Sequence, residues 1–260
     1  MKYVGSKNRI SKQLTPIIQS YIDDSGIKTY WEPFVGGANM IDKIKCERRI
    51  GSDVHPYLIA LLKQASIDTS CFPKTISEDE YKAVRNNPSN YPDWYVGLVG
   101  FCSFGDKWWG GYPRGFKNNG VTPRDIPNEI IRNLIKQAPK LKGVEFFCRD
   151  YRCVTNVKNV VVYCDPPYKD TTKYSTGNFN YENFYEWVRM TSEDNIVLIS
   201  EYNMPNDFEC IWEQEITCTL DNNKRSKKVE RLFRWKDSSV FGLHFKQTTL
   251  GNFCYKKHNV

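Results

Sequence analysis

An α/β fold, built on a mixed but mostly parallel sheet flanked by helices, is what this 260-residue sequence predicts, and three observations carry the prediction. The run Val160-Val161-Val162-Tyr163-Cys164 is apolar without alternation, as a strand covered on both faces must be. It halts at Asp165-Pro166-Pro167-Tyr168, because prolines cannot continue a hydrogen-bond ladder. Thr29–Glu32 reads as a strand followed by the glycine turn Pro33-Phe34-Val35-Gly36-Gly37-Ala38-Asn39, and Arg48–Ser52 as a strand ending in Asp53. Each ending falls at the carboxyl end of a strand, where open α/β sheets hold their ligands.

The chain opens with Lys2-Tyr3-Val4-Gly5-Ser6-Lys7. Gly5 allows a close backbone approach and Tyr3 has a ring that can stack on a purine; a loose start that caps the next helix is the plainer reading. Helical spacing from Arg9 to Ile22 sets Ile10, Leu14, Ile17, Ile18 and Tyr21 on one face. The glycine turn leaves room for a ligand and is expected to lead into a helix. Asp53 is placed to accept from both hydroxyls of a ribose, or to cap the helix that starts near Pro56.

From Pro56 to about Lys142 strand signals are few, so residues 57–142 read as a helical insertion into a unit made of 1–56 and 143–260. Tyr57, Leu58, Leu61 and Leu62 mark one helix, and Ser77 with Glu80 at capping-box spacing starts another. Asp93–Phe101 and Pro127–Gln137 mark two more. Between them lies a loop rich in glycine and aromatics, with Trp108 and Trp109 interleaved among Lys107, Arg114, Lys117 and Arg124. Such a loop suits bases and phosphates; a loop that caps its own helices is the alternative.

The sheet resumes at Gly143–Asp150, again ending in an acid beside an aromatic, Tyr151. Asp150 can accept from an adenine amino group or cap the following turn, and the residues leave both open. Asn180–Met190 reads as a helix and Ile196–Ser200 as a buried strand. Segments near Trp212–Thr219 and Val240–His244 are expected to close the sheet as an antiparallel pair around a basic stretch.

Composition narrows the function classes. The net charge of +7 is concentrated: Lys2, Lys7, Arg9 and Lys12 have no acid among them. In 221–236, Lys224, Arg225, Lys227, Lys228, Arg231, Arg234 and Lys236 face only Asp221 and Glu230. Basic segments like these suit a phosphate backbone, although a solvated face is the commoner meaning of a basic run taken alone. No stretch is long and apolar enough to span a membrane, and early charges argue against a signal peptide. Nine cysteines without a CxxC pair read as reduced thiols of a cytoplasmic protein, and three scattered histidines (His55, His244 and His258) predict no metal.

The chemistry that fits Asp165–Tyr168 is transfer to an amino group conjugated to a ring. Such a nitrogen is a poor nucleophile, since its lone pair is delocalised. Two acceptors aimed at its N–H bonds, the Asp165 carboxylate and the Pro166 carbonyl, stabilise the positive charge that develops. Tyr168 offers a ring face to a base taken out of its stack.

With those residues in place, the chain resembles the Dam-like (D12 class) DNA adenine N6-methyltransferases, nearly end to end. Lys2–Lys7 is similar to their Lys-Trp-x-Gly-Gly-Lys, with Tyr3 for Trp and Ser6 for Gly. Glu32–Ala38 resembles their Phe-x-Gly-x-Gly turn, with Ala38 at the last glycine. Asp53 matches their ribose acid, and Phe147–Tyr151 matches the strand before the catalytic one. Asp165-Pro166-Pro167-Tyr168 matches the catalytic motif without departure, and Val197–Ser200 the strand after it. Arg225–Leu232 is similar to their Arg-Ser…Lys-Lys-Val-x-Glu-Leu region.

The resemblance implies a Rossmann-like class I methyltransferase fold in which 57–142 recognises the target. It implies S-adenosylmethionine held by Tyr3, Lys7, Glu32, Pro33, Phe34, Gly36, Gly37, Ala38, Asn39, Asp53, Asp150, Tyr151 and Asp165. Asp165, Pro166, Pro167 and Tyr168 become the catalytic residues, acting on an adenine flipped from double-stranded DNA. Lys7, Lys107, Trp108, Trp109, Arg114, Lys117, Arg124, Lys224, Arg225, Lys227 and Lys228 are the expected DNA contacts. A monomer in solution, with a dimer on DNA as an option, is the expected state. A cytosine-N4 or RNA methyltransferase on the same fold, or a DNA-binding protein without turnover, are the other functions the motifs admit.

Overall fold

The computed structural model describes residues 1–115, 124–168, 179–218 and 226–240. Its sheet has seven strands: β1 Thr29–Glu32, β2 Arg48–Asp53, β3 Val144–Cys148, β4 Val161–Cys164, β5 Ile196–Glu201, β6 Phe208–Cys218 and β7 Ser226–Trp235. Their order is β3-β2-β1-β4-β5-β7-β6. β1, β2, β3, β4 and β5 are parallel, and β7 runs antiparallel between β5 and β6. That order is a class I methyltransferase arrangement, as the sequence led one to expect.

The strand order reverses between β1 and β4, which pair directly. The glycine turn leaves the end of β1 and Asp165 leaves the end of β4, so both emerge at the topological switch point, the place where open α/β sheets hold their ligands. Alternate residues supply two cores. Tyr30, Val161 and Tyr163 face one layer, and Trp31, Val162 and Cys164 face the other. Val161, Val162, Leu198 and Ile199 are fully buried, each such side chain contributing about 1.5–3 kcal/mol.

The helices are α1 Ser11–Ser25, α2 Pro56–Ile67, α3 Glu78–Asn86, α4 Asp93–Phe101, α5 Ile126–Leu141 and α6 Tyr181–Thr191. α3 starts with the expected capping box, Ser77 accepting from Glu80 N while the Glu80 carboxylate accepts from Ser77 N. Gly97 lets α4 cross α2 closely, since a Cβ there would lie 2.2 Å from the Tyr57 carbonyl oxygen. α2 also touches β2 and β3, and α5 packs beside it.

Two expectations fail, and one alternative is decided. No helix follows the glycine turn; residues 39–43 form turns instead. The Asn39 side-chain amide donates to Ser6 Oγ at 2.9 Å and to the Met1 carbonyl at 2.8 Å, which ties this segment to the chain start. The partner of β6 is Ser226–Trp235, within the basic stretch; Val240 lies outside any strand, and 241–244 lie outside the described residues. β7 wins because Glu230 and Leu232 turn inward while Arg231 and Arg234 form cross-strand ion pairs with Glu213 and Glu209. The cap of α2 is His55, whose Nδ1 accepts from Leu58 N, so Asp53 does not serve that role.

Candidate active site

The glycine turn needs a left-handed backbone at Gly36 (φ 47°) and at Ala38 (φ 55°). The second is the position where the resembled motif carries glycine, and a Cβ there costs about 1–2 kcal/mol. The amino-terminal segment closes over this turn. A Cβ on Gly37 would stand 2.8 Å from Tyr3 Cβ and 2.7 Å from Asn39 Nδ2, so glycine is what admits the segment. Tyr3 thus lies on the glycine turn, its ring 5.6 Å from that of Phe101.

Asp53 braces the same turn from β2. Its Oδ2 accepts from Gly36 N at 3.2 Å and its Oδ1 from His55 N at 3.1 Å. Burial pushes this carboxyl up to about 6, against the pull of those backbone donors. Each oxygen keeps a lone pair, and the residue is partly exposed, which fits a ribose diol. Phe34 packs against Tyr151, Phe179 and Phe184, giving an aromatic wall beside the turn. Glu32 is buried beneath, its Oε1 accepting from the Tyr30 hydroxyl at 2.7 Å, and burial holds its carboxyl well above the usual range.

Asp165 begins the loop after β4, its side chain 21% exposed. Lys7 Nζ lies 2.9 Å from its Oδ1 and 4.2 Å from the centroid of the Tyr168 ring. Burial pushes the Asp165 carboxyl up to about 6; Lys7 opposes the rise and the Glu230 carboxylate adds to it. The Tyr168 hydroxyl donates to Glu230 Oε2 at 2.7 Å, and Tyr202 meets the ring edge-on at 4.6 Å. The Tyr181 hydroxyl donates to the Pro167 carbonyl at 3.0 Å, which steadies the loop. A partly exposed carboxylate, a buried cation and an aromatic face therefore share one small volume.

Glu230, Tyr181 and Tyr202 were not picked out as site residues from the sequence. Glu230 counted as one of two acids in a basic run and as part of the Arg225–Leu232 resemblance, without a role of its own. Its signal was the alternation of β7, which puts Glu230 on the same face as buried Leu232.

The remaining expected residues fall away from Asp165 or elsewhere. The Asp150 carboxylate caps the Tyr151–Cys153 turn through Arg152 N at 2.9 Å and pairs with the Arg152 guanidinium. That ion pair holds it below the usual carboxylate range. Trp108 stacks on Tyr57 and meets His55 edge-on, while Trp109 meets Tyr81. Lys107 is exposed. Arg114 Nε donates to Glu78 and Arg124 Nε to Glu129, each at 2.8 Å. Lys228 Nζ lies 4.8 Å from the centroid of the Tyr202 ring, joining the basic stretch to the site. Lys117, Lys224, Arg225 and the Lys227 side chain lie outside the described residues.

A family model for the D12 class N6 adenine-specific DNA methyltransferases matches residues 3–97 and 115–204. Among individual proteins, the type II methyltransferase M.FokI of Planomicrobium okeanokoites is 24% identical over 97% of this chain and 40% of its own length. The type II methyltransferase M.MjaIII of Methanocaldococcus jannaschii is 26% identical over 68% of this chain and 71% of its own. The chain thus spans less than half of the first relative and most of the second.

Proposed function

We propose, since the chain belongs to the D12 class N6 adenine-specific DNA methyltransferase family, that it transfers a methyl group from S-adenosylmethionine to the N6 of an adenine flipped out of duplex DNA. The observation that carries this is the meeting, at the sheet's switch point, of a glycine turn braced by Asp53 and a partly exposed Asp165 beside an aromatic face.

S-adenosylmethionine, when bound, supplies a methyl group already activated by its sulfonium. The chain's own residues bind and align. Asp53 accepts from the ribose, Tyr3 covers the glycine turn, and Phe34 and Tyr151 offer apolar surface beside it. Asp165 takes one N–H of the adenine amine and the Pro166 carbonyl the other, so charge forming on nitrogen meets a fixed negative partner. Pro167 and Tyr168 shape the floor for the base. No covalent enzyme intermediate is required, so catalysis is alignment plus electrostatic support.

Residues 57–142 serve as the target-recognition unit in this reading, with Lys107, Arg114 and Arg124 on its exposed side. Lys7, beside Asp165, meets the base rather than the phosphates in this reading, and Lys228, over the Tyr202 ring, stands next to it. The relatives' names place them in type II modification, and we infer the same role here. The test is to express the chain in cells lacking adenine methylation and map N6-methyladenine by sequencing. A single methylated sequence motif is expected; DNA free of new N6-methyladenine, or carrying N4-methylcytosine, refutes the reading.

A further inference from the structure

Glu230 stands on β7, 6% exposed, and completes a chain of three charged groups. Its Oε2 accepts from the Tyr168 hydroxyl at 2.7 Å and lies 4.0 Å from Lys7 Nζ. Lys7 Nζ in turn lies 2.9 Å from Asp165 Oδ1 and over the Tyr168 ring. One buried ammonium therefore stands between two carboxylates, touching the first and about 1 Å short of charge-assisted hydrogen-bond distance to the second. It occupies both the acceptor and the ring face that an incoming adenine requires.

We propose that Glu230 is a positioning residue that receives the Lys7 ammonium when the adenine inserts, which frees Asp165 and the Tyr168 ring for the base. The proposal rests on the adenine-methylation reading above. A cation this enclosed cannot be pushed off Asp165 into an apolar space, because an unpaired buried charge is strongly disfavoured. A short swing to Glu230 keeps it paired throughout. No covalent bond forms or breaks and no proton moves. The Tyr168 hydroxyl holds Glu230 in place for the exchange, and the Gly5 carbonyl, 3.4 Å from Nζ, gives the ammonium a backbone partner.

The experiment is a double-mutant cycle of Glu230→Gln and Lys7→Met, read without turnover. The probe is duplex DNA carrying 2-aminopurine immediately 3′ of the adenine that the wild-type protein methylates, so that the target base keeps its amino group, with S-adenosylhomocysteine present. Its fluorescence rises when the base leaves the stack. Glutamine still accepts from the Tyr168 hydroxyl, so the expected loss is one of charge. Glu230→Gln is expected to cut the flipped fraction about fivefold or more when Lys7 is present, and to leave it unchanged in the Lys7→Met background. Equal losses in both backgrounds, or no loss in either, overturn the proposal. Thermal melting checks that each variant is folded; if Glu230→Gln does not fold, Glu230→Asp replaces it, since the shorter side chain withdraws the carboxylate from Lys7. Absence of methylation by the wild-type chain defeats the underlying reading, whereas an additive cycle on a methylating protein defeats this inference alone.

Discussion

Replacing Asp165 by asparagine separates catalysis from stability, and the structure supplies the sign of each effect. The carboxyl titrates near 6 in the fold against an ordinary value of 3.8, because burial outweighs the pull of Lys7. A raised pKa means that ionisation is less favourable folded than unfolded. Stability is therefore lost as the pH climbs from 3.8 through about 6, and the loss is complete at neutral pH. The shift is equivalent to about 3 kcal/mol, and partial exposure of the side chain brings it nearer 1–2 kcal/mol. Asparagine keeps the shape and cannot ionise. At pH 7 the variant should melt higher than wild type, by about 2–4 °C per kcal/mol for a chain of this size. Near pH 3, below both values, the two should melt together. Activity should move the opposite way, since removing one preorganised charge-stabilising group costs about 10²–10³ in rate. Single-turnover transfer of labelled methyl to DNA, beside thermal melts at the two pH values, reads both effects. A variant that melts lower at pH 7, or methylates at close to the wild-type rate, would refute the reasoning.

Three further outcomes follow from the same geometry. Asp53→Asn should weaken S-adenosylmethionine binding about 10–100-fold, as loss of hydrogen bonds to a charged acceptor implies. Wild-type affinity should itself fall as the pH drops through about 6, where Asp53 takes up a proton; calorimetric titration checks both, and a pH-independent affinity counts against ribose binding. Gly97→Ala places a Cβ 2.2 Å from the Tyr57 carbonyl oxygen and should force α2 and α4 apart. The expected cost is about 1–3 kcal/mol, read as a lower urea midpoint. Arg114→Ala should leave the melting temperature unchanged, because its partner Glu78 meets it at the exposed surface. If Arg114 meets a phosphate, its removal should reduce the slope of log affinity against log salt by about 1.

What the amino-acid order determined by itself is local and short in range. Val160–Cys164 is buried on both faces because nothing in it could face water, and prolines end it because they cannot donate. Ser77 and Glu80 cap α3 because they stand at the spacing that satisfies two amides. The glycine turn, Asp53 and Asp165 were legible for the same reason, each being a residue type that a strand end demands. The helix expected after the glycine turn was misread; the segment forms turns there and is tied by Asn39 to Ser6 and Met1 at the chain start, a contact that no local pattern reveals. The strand in the basic stretch was misread because its charges find cross-strand partners that no local pattern reveals.

Only the tertiary structure decided which charges meet. Lys7, Asp165, Tyr168 and Glu230 come from the chain start, the end of β4 and the middle of β7, and no spacing in the sequence relates them. Their encounter depends on the order of strands in the sheet, with β5 between β4 and β7, and on the amino-terminal segment lying over the glycine turn. Burial then sets their properties: the same Asp165 on an exposed loop would be an ordinary carboxylate, and Lys7 an ordinary surface cation. Identity is written residue by residue, but the electric field at a site is a sum over everything the fold brings near it.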